Sequence, residues 1–212
     1  MKRIQKLKKI RDTILIITNG KQTEKNYLNS ITTHFKSMFT IKVEYKNFEC
    51  DKLVEYAISK KTENFNQIWC LFDIDESYKD GHLLIALQNA KKHDIKIAYS
   101  NESFEVWLLL HLTDSVSPTL TRNKYIREIN KILQEKGINA NYKKNDIELI
   151  KSLFIPNILE ATQNAKKIYQ KLEANHLKEY YGNTNYPIWD WKSSTTVFEL
   201  IDTLKLTKIQ DD

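Results

Sequence analysis

Asp73, Asp75 and Glu76 put three carboxylates within four residues, directly behind the apolar run Ile68-Trp69-Cys70-Leu71-Phe72. Carboxylates this close repel one another, and a proton or a divalent cation relieves the repulsion. A magnesium-type ion, magnesium or manganese, is the chemistry this spacing suggests. A solvated acidic turn capping a helix that begins near Gly81 is the other reading of the same residues. The apolar run has the length and residue types of a strand buried on both faces. Asp73 and Asp75 would emerge where that strand leaves the sheet, at the edge where open α/β sheets bind ligands.

Two further segments carry acids or amides behind a strand. Glu24 follows the run Thr13 to Thr18 and the turn Asn19-Gly20, and Asn101, Glu102 and Glu105 follow the run Ile95 to Tyr99. If the sheet is parallel, all three junctions lie on one edge and their side chains converge. Convergent acids are what one or two magnesium ions need to orient phosphates and activate a nucleophile. Each residue also has an ordinary role. Glu24, Glu76 and Glu105 sit in first helical turns, where a carboxylate offsets the helix dipole. Asn101 is a common cap, and His111 lies on an apolar helix where a hydrogen-bonded core residue is the usual occupant. His34, His82, His93 and His176 lack metal-ligand spacing, and Gly20-Lys21-Gln22-Thr23 lacks the glycines of a P-loop. Neither cysteine has a zinc-spaced neighbour, and no Gly-x-Ser-x-Gly elbow is present.

The elements that must position these residues are legible from periodicity. Thr13–Thr18, Ile41–Tyr45, Ile68–Phe72 and Ile95–Tyr99 read as strands. The segment from Glu24, with Thr23 as its cap, Asp51–Lys61, the segment carrying Leu83, Leu84, Leu87 and Ala90, and Phe104–His111 read as helices. The alternation predicts an α/β fold with a mainly parallel four-stranded sheet flanked by helices. Beyond about Thr113 the strand signal fades. Asn123–Gln134, Asn145–Leu153, Asn157–Leu172 and a last helix from about Ser194 predict a helical C-terminal half, and Thr196-Val197-Phe198-Glu199 fits a capping box. The chain therefore divides into an α/β core over 1–112, with a basic arm at 1–11, and a helical region over 113–212 packed on it.

Composition places the chain among globular, cytoplasmic proteins. No apolar run approaches a membrane span, no secretory leader is visible, and Cys50 and Cys70 are too few for a disulfide framework. The net charge of +6 comes from Lys2, Arg3, Lys6, Lys8, Lys9 and Arg11. Without them the 33 basic residues fall to 27, equal to the 27 acidic ones. The arm can contact nucleic-acid phosphates or an acidic partner; a solubilising tail reads the same way. The body has no basic bias of its own.

Three segments together carry a resemblance. Thr18-Asn19-Gly20-Lys21-Gln22-Thr23-Glu24-Lys25-Asn26-Tyr27 looks like the opening of RloB-like proteins, Phe72-Asp73-Ile74-Asp75 looks like their Phe-Asp-x-Asp strand, and Ser100 to His111 looks like their Ser-Asn-Pro-x-Phe-Glu-x-Trp segment. Tyr142-Lys143-Lys144 and Ser194 to Val197 echo later family positions. Asn19 stands where the family has an acid, and Glu102 where it has a proline. The resemblance implies a Toprim-like fold, shared with topoisomerases, primases and overcoming-lysogenization-defect nucleases. It further implies a catalytic Glu24, an Asp73/Asp75 metal pair, and a setting near bacterial restriction-modification or abortive-infection genes with an ATPase partner of the AAA or ABC type.

The leading expectation is a magnesium- or manganese-dependent nuclease of RNA or DNA in anti-phage defence. Asp73 and Asp75 hold the metal, Glu24 is a further ligand or general base, and Glu105 completes the set. Asn101, Glu76 and His111 stand behind them, and Lys144 steadies the scissile phosphate as a compact charge. Tyr180, Tyr181, Tyr186, Trp189 and Trp191 form an aromatic loop that can stack bases or serve as core or partner surface. A non-catalytic or partner-activated toxin subunit is the second reading, and a phosphotransferase acting on small esters the third. A homodimer is left open, and no membrane association is expected.

Overall fold

The computed structural model describes residues 11–74, 79–179 and 192–209. Its centre is β1 (Thr13–Thr18), whose β-branched residues are buried from Ile14 onward. On one side β1 pairs with β3 (Thr40–Tyr45), and on the other with β4 (Gln67–Ile74); β5 (Lys96–Asn101) pairs with β4. All these pairings are parallel, in the order β3-β1-β4-β5. Thr18 is level with Tyr45 and Leu71, and Asp73 with Ser100, so the strands end along one edge. The expected α/β fold with a four-stranded parallel sheet and a helical second half is what the chain adopts.

Strand side chains alternate between faces, and here the two sets divide cleanly. Leu15, Ile17, Cys70 and Phe72 pack beneath α2 (Cys50–Ser59) and α3 (His82–Lys92). Ile14, Ile16, Trp69 and Leu71 pack on the other face, against α1 (Thr23–Ser30), α4 (Glu105–Leu109) and the C-terminal helices. Asp73 has the parity of Trp69 and Leu71. The alternation alone therefore turns it toward the face that carries α1 and α4. The chain runs from β1 outward to β3 and returns to β4 on the far side of β1, with α1 and α2 on opposite faces. That reversal opens a crevice between the carboxyl ends of β1 and β4, where open α/β sheets take their ligands.

Past Leu112, α5 (Arg122–Glu135) buries Tyr125, Ile129 and Leu133 at four-residue spacing. A short α6 (Ile147–Leu149), capped by the Asp146 carboxylate accepting from the Leu149 N–H, opens into a wide turn over Ile150–Phe154. The helix expected over Asn145–Leu153 thus begins at Ile147 and runs on with a widened turn, in which Ile150 and Phe154 face the core. α7 (Ile158–Glu179) and α8 (Val197–Thr203) complete the layer. Two-residue strands β2 (Phe35–Lys36) and β6 (Thr207–Lys208) pair antiparallel and tie the last described turn back to the region behind α1.

The structure corrects three local expectations. Thr196 does not cap α8: its hydroxyl accepts from the Tyr99 N–H while its own N–H donates to the Tyr99 carbonyl. With Ser194 accepting from the Asn101 N–H, this segment closes the outer edge of β5, and an open strand edge takes precedence over a cap. Thr23 likewise does not cap α1, because its hydroxyl donates to Asn145 Oδ1. Leu84 points outward, 52% exposed, since Leu83, Ala86 and Ala90 form the buried stripe of α3. Both cysteines are buried free thiols. Among the described residues no helix is long and apolar enough to cross a membrane.

Candidate functional site

Gly20 and Glu24 occupy the turn between β1 and α1. The Gly20 N–H donates to the Thr18 hydroxyl at 3.0 Å, which folds the chain back at the strand end. A Cβ built on Gly20 would fall on the Glu24 carboxylate. Glycine therefore leaves the space in which the Glu24 side chain lies against the bare backbone. Burial raises the Glu24 pKa above the usual carboxylate range. The charge of Glu105 raises it further, against the lowering effects of its own backbone N–H, Lys144 and Arg122. Glu24 makes no ion pair with any described residue, whereas its two carboxylate neighbours do.

Asp73, one residue before the end of β4, accepts a 2.8 Å charge-assisted hydrogen bond from Arg122 Nη2. Glu105, buried in the first turn of α4, lies 3.6 Å from Lys144 Nζ. The three carboxylates, from three separate junctions, line one cavity of about 300 Å³, with Lys21, Arg122 and Lys144 as cations and Asn19 and Asn145 as amides. The β1–β4 crevice thus holds acids and bases together in one polar cavity. Glu102 sits at its margin: its carboxylate accepts from the Arg122 backbone N–H at 3.0 Å and lies 3.6 Å from Lys192. The Asn101–Glu102 peptide bond is cis.

Of the residues singled out in the sequence, Glu24, Asp73, Glu105 and Lys144 meet in this cavity. Asp75 and Glu76 lie outside the described residues, as do Lys2, Arg3, Lys6, Lys8 and Lys9 of the arm and Tyr180, Tyr181, Tyr186, Trp189 and Trp191 of the aromatic loop. Arg11 is exposed at the start of the described chain. Asn101 is buried at the end of β5 and does not line the cavity; its backbone accepts from the Tyr125 hydroxyl and donates to Ser194.

His111 lies behind the cavity, in the core. Its Nδ1 donates to the Trp107 carbonyl and its Nε2 accepts from the Tyr27 hydroxyl, both at 2.8 Å, deep in the core and away from the carboxylates. The ring is edge-on to Tyr27, Trp107 and Phe154. Burial pushes its pKa down to about 3, so the ring is neutral at neutral pH.

Arg122 and Asn145 are site residues that sequence reasoning passed over. The signal for Arg122 was local: a cation in the first turn of a helix opposes the dipole, so something other than its own helix holds it there. Nothing comparable marks Asn145, whose place depends on a contact with Thr23 across 122 residues of chain.

The donor set consists of hard oxygens, the class that suits magnesium or manganese rather than zinc. Among the described residues no group of three or more His, Cys, Asp or Glu is gathered closely enough to hold a metal ion. Glu24, Asp73 and Glu105 share the cavity while two of them are held by cations. The residues suit a divalent cation by chemistry, and two of the three carboxylates are paired with Arg122 and Lys144.

The family model for RloB-like proteins matches residues 14–204. No curated protein and no solved structure gives a match. The matched span runs from β1 to the end of α8 and takes in every cavity residue described above, and on that match the chain belongs to the RloB-like protein family.

Proposed function

We propose that the protein is a divalent-metal-dependent nuclease of a bacterial anti-phage defence system, built on a Toprim-type scaffold. One observation carries the reading: Glu24, Asp73 and Glu105, brought from three junctions of a parallel sheet, share one polar cavity with Lys21, Arg122 and Lys144. Carboxylates alone would suit a cation and lysines alone an anion. The mixture suits a metal-bridged phosphate. Asp73 and Glu105 would hold magnesium or manganese, with Asp75 following two residues on and Glu24 beside them; the bound ion would supply charge stabilisation to the phosphate and acidity to a water.

The chain's own groups divide the remaining work. Glu24, whose proton affinity is raised by burial, takes the proton from the attacking water. The water oxygen bonds to phosphorus, the bond to the leaving oxygen breaks, and solvent returns a proton to that oxygen. Lys144 and Arg122 face the non-bridging oxygens, where negative charge accumulates.

The test is purified protein with magnesium or manganese on RNA and on plasmid DNA. Asp73→Asn and Glu24→Gln should each lower cleavage by about 100-fold or more, with thermal melting showing that both variants fold. Cleavage unaffected by either substitution would refute the proposal. The two ion pairs that occupy Asp73 and Glu105 favour a second reading, in which the protein is silent until a partner ATPase of the AAA or ABC type rearranges the cavity. Cleavage that appears only with such a partner, and still requires Asp73, would select it.

A further inference from the structure

The two cations on the cavity carboxylates are held differently. Lys144 stands 3.6 Å from Glu105, a loose pairing. Arg122 makes a 2.8 Å contact with Asp73, and its side chain is 43% exposed against 16% for Asp73. The guanidinium therefore enters from the solvent side and covers an oxygen of the carboxylate. Its backbone is anchored independently by the hydrogen bond to Glu102. The side chain can leave Asp73 without moving α5, and on leaving it remains at the cavity mouth. Nothing in its own helix favours a cation at that position, and the short contact with Asp73 offsets that cost.

We propose that Arg122 is a latch that competes with the divalent cation for Asp73: it holds the carboxylate when no cation is bound, and turns to a substrate phosphate when one is. The inference rests on the reading of the cavity as a divalent-cation site. Its physical basis is charge. A guanidinium at hydrogen-bond distance from a carboxylate oxygen repels a doubly charged ion bound to the same group. The planar fork that pairs with a carboxylate pairs equally well with a phosphate. Arg122 would thus oppose cation binding and assist substrate binding. A purely structural salt bridge would do neither.

That opposition of sign is the test. Mn²⁺ binding is measured by the loss of its free-ion paramagnetic resonance signal, for the full chain and for Arg122→Gln and Arg122→Lys. Binding of a short single-stranded phosphorothioate oligonucleotide is measured by anisotropy at saturating Mn²⁺. Arg122→Gln should bind Mn²⁺ about two- to fivefold more tightly, the scale of a partly exposed ion pair. It should bind the oligonucleotide more weakly, with a salt dependence shallower by about one unit of slope. Arg122→Lys, which keeps a cation but makes a single point contact, should fall between on both measures, and decides the matter if the Gln variant does not fold. If the unaltered protein takes up Mn²⁺ and neither variant binds it more tightly, the latch is overturned and the cation site stands. If none of the three proteins takes up Mn²⁺, both fall.

Discussion

Gly20 and Glu24 compete for one volume, and their competition makes a sharp test of the site. Gly20 has no left-handed backbone requirement, so Gly20→Ala leaves the turn feasible. Its new methyl, however, must expel the Glu24 carboxylate. The carboxylate is the far end of a flexible side chain and can swing away at little energetic cost. Gly20→Ala should therefore melt within a few degrees of the unaltered protein, while losing nearly as much activity as Glu24→Gln. A variant that keeps full activity would show that the Glu24 position is unimportant. The sign of the Glu24 shift adds a second readout. A carboxyl whose pKa is raised by folding takes up a proton on folding, so stability falls as pH rises from the unfolded pKa through the folded one. Glu24→Gln should accordingly melt no lower than the parent at neutral pH. Asp73 and Glu24 were legible in the sequence because one lies at a strand end and the other just past a strand-to-helix turn, and they need only the sheet's common edge to find each other. Arg122 was not, because its partner Asp73 lies 49 residues away and no periodicity links them.

Between elements, His111 acts as a bolt. One ring nitrogen is fixed by the Trp107 carbonyl within the α4 segment and the other by the Tyr27 hydroxyl of α1. The bond holds together the two helices whose first turns present Glu24 and Glu105. Because the folded protein keeps this ring neutral down to about pH 3, while an unfolded histidine protonates near 6.5, its contribution is fully present above pH 6.5 and is lost as pH falls toward 3. The expected loss is about 1.4 kcal/mol per pH unit within that window, or about 2 kcal/mol between pH 7 and pH 5. Urea unfolding across that range should show this slope in the parent and a flatter one in His111→Gln. Equal slopes would mean that the ring protonates in place. The strands and their order of appearance could be read from β-branched runs. The closure of β5 by Ser194 to Thr196 could not, since a helix-cap pattern and an edge-pairing segment share the same hydroxyl residues. Only the backbone pairing of Tyr99 and Asn101 with Thr196 and Ser194 decides between them. The β2–β6 pair, two residues long on each side, is too short to leave a periodic trace.

Across the whole molecule, the sheet's two faces have unequal histories. The face under α2 and α3 is completed by residues up to Tyr99, with Tyr169 only at its margin. The other face combines Ile14, Trp69 and Trp107 with Tyr125, Phe154, Val197 and Leu204 in one continuous core. The boundary drawn near residue 112 therefore separates kinds of structure without separating cores. Thermal unfolding of the full chain should show a single cooperative transition, and a fragment ending at residue 112 should expose its apolar face and fail to fold. A fragment with its own sharp transition would contradict this. The same arrangement bears on how such a chain is made in a living cell. The ribosome releases Glu24 and Asp73 early. Arg122 and Lys144 follow later, and α8, which packs on β5, later still. On the proposed activity, a nascent or prematurely terminated polypeptide would carry the acids of the nuclease without its cutting competence, and a host that encodes it is spared damage from its own unfinished products.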